Sequence, residues 1–149
     1  EQIADTSDMT LFGSEYGGET ILQFNGAGGE GLIETMGDLT IDGVAVIDFA
    51  GGNPCDANYL YLDDLLIANA DSTLFIRNWI DFTDFLLVRN TSDIETVLTQ
   101  VVFEGYGTTS YWQEFDSSYN VIRPVPEPST YGAILMTVGL SLWFWRRRR

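Results

Sequence analysis

The first 122 residues predict a mainly β fold, a parallel β-solenoid-like body with one short helix, and three observations carry that expectation. Short runs of β-branched and aromatic residues recur between Gly, Asn and Asp turn signals along the whole stretch. A shift of 26 lays Leu39 on Leu65, Ile41 on Ile67 and Phe49 on Phe75, a length that suits one rung of a stacked coil. The chain has 149 residues, 45% of them hydrophobic, enough for one modest core and too few for two. An antiparallel β-sandwich is the alternative, because it would use the same strands joined as hairpins, and the pattern does not separate the two.

Taken in order, the strands are expected at Thr20 to Phe24, Gly31 to Thr35, Asp38 to Ile41, Val44 to Phe49, Tyr59 to Leu62, Leu65 to Ala68, Thr73 to Trp79 and Phe85 to Arg89. Between them, Gly26-Ala27-Gly28-Gly29, Asp42-Gly43, Gly51-Gly52-Asn53-Pro54 and Asn69-Ala70-Asp71 supply positive φ and Asx-turn chemistry for reversals and corners. One helix fits TSDIETVLTQ: Ser92 caps it, Glu95 reaches back in a capping box, and Ile94, Val97 and Leu98 share a face. A strand ending at Gly105 follows, and aromatic-bearing segments at Tyr111 to Phe115 and Tyr119 to Ile122 finish and cover the sheet edge.

Charge and inventory narrow the function. Acids outnumber bases 22 to 7, for a net charge of −15, and four of the seven arginines close the chain as Arg146, Arg147, Arg148 and Arg149. The 22 acids and three remaining arginines leave the rest of the chain strongly anionic, so a nucleic-acid partner would be repelled. There is no His and a single Cys, Cys55. Ser-His-Asp and Cys-His nucleophiles and His-ligated zinc are thereby excluded, as is an intrachain disulfide. Cys55, without a base to activate it, reads as inert or as an intermolecular crosslinking site. The chain opens on Glu1 without an initiator Met or a basic-then-apolar leader, and reads as a processed or truncated form.

From Arg123 the composition changes. Residues 123–130 read RPVPEPST, with three prolines in five positions, which forbid helix and sheet ladders and favour an accessible extended linker of polyproline type. Residues 131–149 follow as a single transmembrane α-helix with a basic end: Tyr131 to Trp145 holds fifteen uncharged residues, then four arginines. At about 1.5 Å per residue the run reaches roughly 22 Å against a hydrocarbon core of about 30 Å. Ser129 and Thr130 extend the helix, Trp143 and Trp145 suit the interface belt, and arginines snorkel. The positive flank stays in the cytoplasm, which leaves the acidic body extracytoplasmic. Ala133, Thr137 and Ser141 form a small-residue stripe on this helix that could admit a partner helix.

A Pro-Glu-Pro triplet, an apolar span and a terminal arginine cluster, here Pro126-Glu127-Pro128, Tyr131 to Trp145 and Arg146 to Arg149, resemble the PEP-CTERM sorting signal of bacterial surface proteins. The resemblance implies that a membrane exosortase recognises the motif, with Glu127 as the recognition element. It would cut near it, releasing or re-anchoring the body at the cell surface or in an exopolysaccharide matrix. Less specifically, LTIDGVAVIDFAGG, LFIRNW followed by DFLLV, and VVFEGYG resemble the C-terminal part of autotransporter-like β-strand repeat proteins, which implies a parallel β-solenoid with a cap.

Other constellations are weighed against plainer readings. Asp63-Asp64, Asp38 with Asp42, and Asp81 with Asp84 could offer oxygen ligands to Ca2+, but none matches a calcium-loop pattern and solvated turn acids are the preferred reading, so no metal ligand is assigned. Trp79, Trp112 and several tyrosines could stack on sugars; Trp79 is expected in the core, and Trp112 is the candidate ligand-binding residue. No catalytic residue is assigned. The expected function is structural or adhesive, in a non-enzymatic surface or matrix protein with the membrane and an exosortase as partners, exopolysaccharide or copies of itself as further ones, and no nucleic acid. The alternatives are a carbohydrate- or ice-binding module, a self-assembling filament or layer subunit, and a carboxylate-based polysaccharide hydrolase.

Overall fold

The computed structural model describes residues 7–13, 18–23, 31–49, 57–91 and 93–125. Its strands are β1 (Met9–Phe12), β2 (Thr20–Gln23), β3 (Ile33–Asp42), β4 (Val44–Asp48), β5 (Asn58–Ile67), β6 (Thr73–Arg77), β7 (Asp84–Arg89), β8 (Val101–Phe103), β9 (Ser110–Glu114) and β10 (Tyr119–Pro124). The chain alternates between two sheets. The first runs β1-β3-β5-β7-β10-β9 and the second β2-β4-β6-β8. Every pairing from β1 to β8 is parallel, and only β10 pairs antiparallel, with β7 on one side and β9 on the other. Parallel pairing throughout the body is not the ladder that hairpin-joined strands would make.

The shift of 26 is the register of the first sheet, where Leu39 pairs with Leu65, Ile41 with Ile67 and Asn58 with Asp84. In the second sheet it fails. Phe75 pairs with Val46, not Phe49, because the register between β4 and β6 is 29, with Val44 on Thr73. The corner after β3 is Gly43 alone, at φ +97°, and a Cβ there would stand 2.9 Å from the Gly13 Cα. The corner after β5 needs Ala68 to Ser72. Ala68 N donates to Ile41 O and Thr73 N to Gly43 O, so the two corners stay in step and the three extra residues loop outward. Asn69 closes that loop as an Asx turn, its Oδ1 accepting from Asp71 N at 3.0 Å.

Two strands expected as four are continuous, for a visible reason. In β3 the inward residues are Met36, then Leu39 and Ile41; in β5 they are Leu60 and Leu62, then Leu65. The inward parity reverses at Gly37 and at Asp63-Asp64 while the register stays at 26 on either side, so the two paired strands bend together without ending. Phe49, Ala68 and Trp79 are likewise not strand residues, since β4 ends at Asp48, β5 at Ile67 and β6 at Arg77; Phe24 lies outside the described residues.

After β7 the chain forms a four-residue helix, α1 (Ile94–Val97), and a 3₁₀ turn, Leu98–Gln100, before β8. Asp93 stands at the N-cap without a side-chain cap bond, and Glu95 is exposed, so no capping box forms there; Ser92 lies outside the described residues. Ile94 and Val97 are buried and Leu98 is partly buried. The core between the sheets is Met36, Leu39, Ile41, Ile47, Leu60, Leu62, Leu74, Ile76, Leu86, Val88 and Phe103 with their neighbours. β8 ends at Phe103, with Glu104 and Gly105 already in a turn.

β10 overrides the expected break at Arg123. It runs through Pro124, pairing Arg123 with Tyr111 and Pro124 with Ser110, and Val125 N donates to Thr109 O at 3.0 Å. Arg123 is buried, because its Nη1 donates to Asp81 Oδ1 at 2.7 Å and its guanidinium lies over the rings of Phe82 and Phe85. Cys55, Pro126-Glu127-Pro128, Tyr131, Trp143, Trp145 and Arg146 to Arg149 lie outside the described residues. No helix among the described residues is long and apolar enough to cross a membrane.

Candidate functional site

The 26-residue register sorts aromatic side chains into columns. On the outward side of the first sheet, Ile33 pairs with Tyr59 and Tyr59 with Phe85. Tyr59 and Phe85 stack at 4.7 Å between centroids with their planes 6° apart. Phe115 closes edge-on over both, Tyr61 meets Tyr119 at 5.0 Å, and Arg89 lies over Tyr119 while binding Asp63. A ring stacked face to face presents its edge outward. This ladder is closed on itself, and the tyrosines do not offer the flat platform that sugar stacking needs.

Trp79 is in the core, as expected, packed edge-on against Phe49 and Phe103. Trp112 is placed differently. It pairs with Ile122, a core residue, so it stands on the inward side of the β9–β10 hairpin, as does Asn120 two residues along β10. The inward column Met36, Leu62, Val88 ends on Asn120, and the column Leu60, Leu86, Ile122 ends on Trp112. There the core gives out. A cleft of about 210 Å³ opens, lined by Asn90, Asp93, Ile94, Glu95, Trp112 and Asn120. Trp112 is 39% exposed and has no ring partner among the described residues.

The acidic pairs read from the sequence are dispersed by the fold. Asp63 binds Arg89, Asp42 accepts from Asn69, and Asp81 binds Arg123. Asp84 is buried, accepting from Asn58 Nδ2 at 2.7 Å and from Ile80 N at 2.6 Å; burial still raises its carboxyl above the ordinary value. The acids that do meet are Asp38, Asp64 and Asp8, since Asp38 pairs with Asp64 and its N–H donates to Asp8 Oδ1. Desolvation, then the charges of Asp8, Asp64 and Asp63, push Asp38 upward. Among the described residues no group of three or more Asp, Glu, His or Cys is arranged to hold a metal ion. On the second sheet Arg77 bridges Glu19 and Glu104, and its hydrogen bonds hold Glu104 below the usual carboxylate range.

The sequence reading reached Trp112 but not its neighbours. The Tyr59–Phe85 column was available to it, because the shift that aligned Leu39 with Leu65 also aligns these rings. Asn90, Asp93 and Asn120 gave no signal: they meet Trp112 only because β10 returns antiparallel beside β7.

β10 ends on Pro124, and there the matched sorting segment begins. A family model for the PEP-CTERM protein-sorting motif matches residues 124–149. The chain carries the PEP-CTERM motif. The PEP-CTERM signal marks it for exosortase processing at the membrane and for sorting to the cell envelope or surface. No curated protein and no solved structure matches the chain, so the body's resemblance to autotransporter-like repeats finds no support there.

Proposed function

We propose that this protein is a non-enzymatic display protein of the bacterial surface or matrix, with an adhesive or structural role. In this reading the short β-solenoid-like body, which continues through Val125, lies outside the cytoplasm, and residues 126–130 are the accessible segment an exosortase engages. Residues 131–149 are a single span with Arg146 to Arg149 inside. The observation that carries it is the PEP-CTERM match, which begins on the last residue of β10. The folded body thus ends where the recognition segment starts, and a proline-rich stretch can enter a protease cleft without unfolding the sheet.

The test is the mature C-terminus. In a host that carries an exosortase, mass spectrometry of the wild-type protein should show a trimmed tail. Combined Pro126→Ala, Glu127→Gln and Pro128→Ala changes should retain Arg149 and hold the protein in the membrane fraction. The same C-terminus in both would overturn the reading.

Self-assembly is a second reading, favoured by one observation: β1 and β2 are edge strands at the same end of the two sheets, with Phe12 and Ile21 exposed. With a net charge of −15, assembly should strengthen with salt or divalent cations, and sedimentation that ignores both would count against it.

A further inference from the structure

We propose that the cleft at Trp112 binds one neutral pyranose ring of a longer polysaccharide, with the indole as the stacking surface and the surrounding amides and carboxylates as hydroxyl partners. The inference does not depend on the tail, and its failure would leave the sorting reading intact.

Three features of the cleft converge on that ligand class. Its volume, about 210 Å³, lies below the roughly 300–1,000 Å³ of pockets for drug-sized ligands, so it admits a small ring and not a nucleotide or cofactor. Trp112 is 39% exposed at the cleft and has no ring partner among the described residues, so the exposed part of its indole is available to the C–H groups of a pyranose. Hydroxyl partners surround it in both senses. Asn90 is fixed by donating its Nδ2 to Ser117 O at 2.6 Å, which leaves Oδ1 to accept. Asn120 is only 8% exposed and lines the cleft, so its side-chain amide is a further hydroxyl partner. Asp93 and Glu95 add acceptors.

Charge selects within the class. Two carboxylates at the cleft, on a chain of net charge −15, disfavour uronates and sulfated sugars. A cation is the rival occupant, but the lining holds two acids, short of the three-ligand group that is absent among the described residues. Because β9 is the edge strand, a glycan is free to run past the ring that binds.

The test uses the full-length protein in a zwitterionic detergent, so that no sugar-headed detergent competes. Titration calorimetry with cellohexaose, laminarihexaose and mannohexaose should give saturable binding to at least one. Hexagalacturonate should bind more weakly. Trp112→Ala should weaken binding about tenfold or more, Trp112→Tyr should restore part of it, and Asn120→Ala should weaken it several-fold. Phe12→Ser, an exposed aromatic change far from the cleft, should leave it unchanged. Circular dichroism checks that each variant is folded. No saturable binding to any of the three neutral oligomers, equal binding by folded Trp112→Ala, or a preference for hexagalacturonate would overturn the proposal.

Discussion

The first sheet carries two groups of aromatic rings, and they are in opposite states. Tyr59, Phe85 and Phe115 on its outward side satisfy one another, face to face and edge to face, with Arg123 laid over Phe85. Trp112, on the inward side at the end of the same sheet, has no ring partner among the described residues and opens onto a cleft. Exposure alone does not distinguish the two, since Phe115 and Trp112 are each 39% exposed. What differs is the ring partner, which each ladder ring has and Trp112 lacks among the described residues. An aromatic surface is therefore read by its stacking, not by its composition.

The contrast can be broken by measurement. If the ladder is self-satisfied, removing a rung should cost stability: Phe85→Ala is expected to lower unfolding free energy by about 2 kcal/mol, below the range for a fully buried ring because this one is half buried. Chemical denaturation monitored by circular dichroism reads that loss, and a change near zero would mean the stack is decoration.

The same closure extends to the polar pair beside it, where Asn58 pairs with Asp84. Asp84→Asn leaves one acceptor oxygen for the two donors Asn58 Nδ2 and Ile80 N, and should cost about 1 kcal/mol. Burial raises the folded carboxyl above its unfolded value, so its contribution is full below that unfolded value and is lost as pH rises through the folded one. The advantage of wild type over Asp84→Asn should therefore narrow from acid to neutral pH, and a gap that widens would refute the assignment. Glu104 runs the other way: the stability lost in Glu104→Gln should be present at neutral pH and fade on acidification, because Arg77 lowers the folded carboxyl. Smallest of all, Trp112→Ala should cost less stability than Phe85→Ala while weakening sugar binding about tenfold or more. A loss as large as that of Phe85→Ala would place Trp112 with the ladder and end the contrast.

Much of the body was legible because a parallel ladder repeats one register. Leu39 over Leu65 and Ile41 over Ile67 are sequence facts before they are contacts. The pattern went wrong where length changed without changing composition: three extra corner residues after β5 displaced Phe75 from Phe49 to Val46. Gly37 and Asp63-Asp64 resemble strand breaks in one dimension, yet the paired strands carry the chain through a bend. β1 was missed, since MTLF is too short to show a period and is a strand only through its pairing with β3. Arg123 and Pro124 read as linker in the sequence, because nothing local reveals that Asp81, Phe82 and Phe85 receive the arginine.

By itself the sequence determined the tripartite tail, the acidic character of the body and the spacing of its rungs, because each is a property of residues read in order. Tertiary structure decided which rings stack and which stay open, which acids are neutralised and where the core stops. Those outcomes depend on β10 returning beside β7, a contact between residues about thirty positions apart that no local preference encodes.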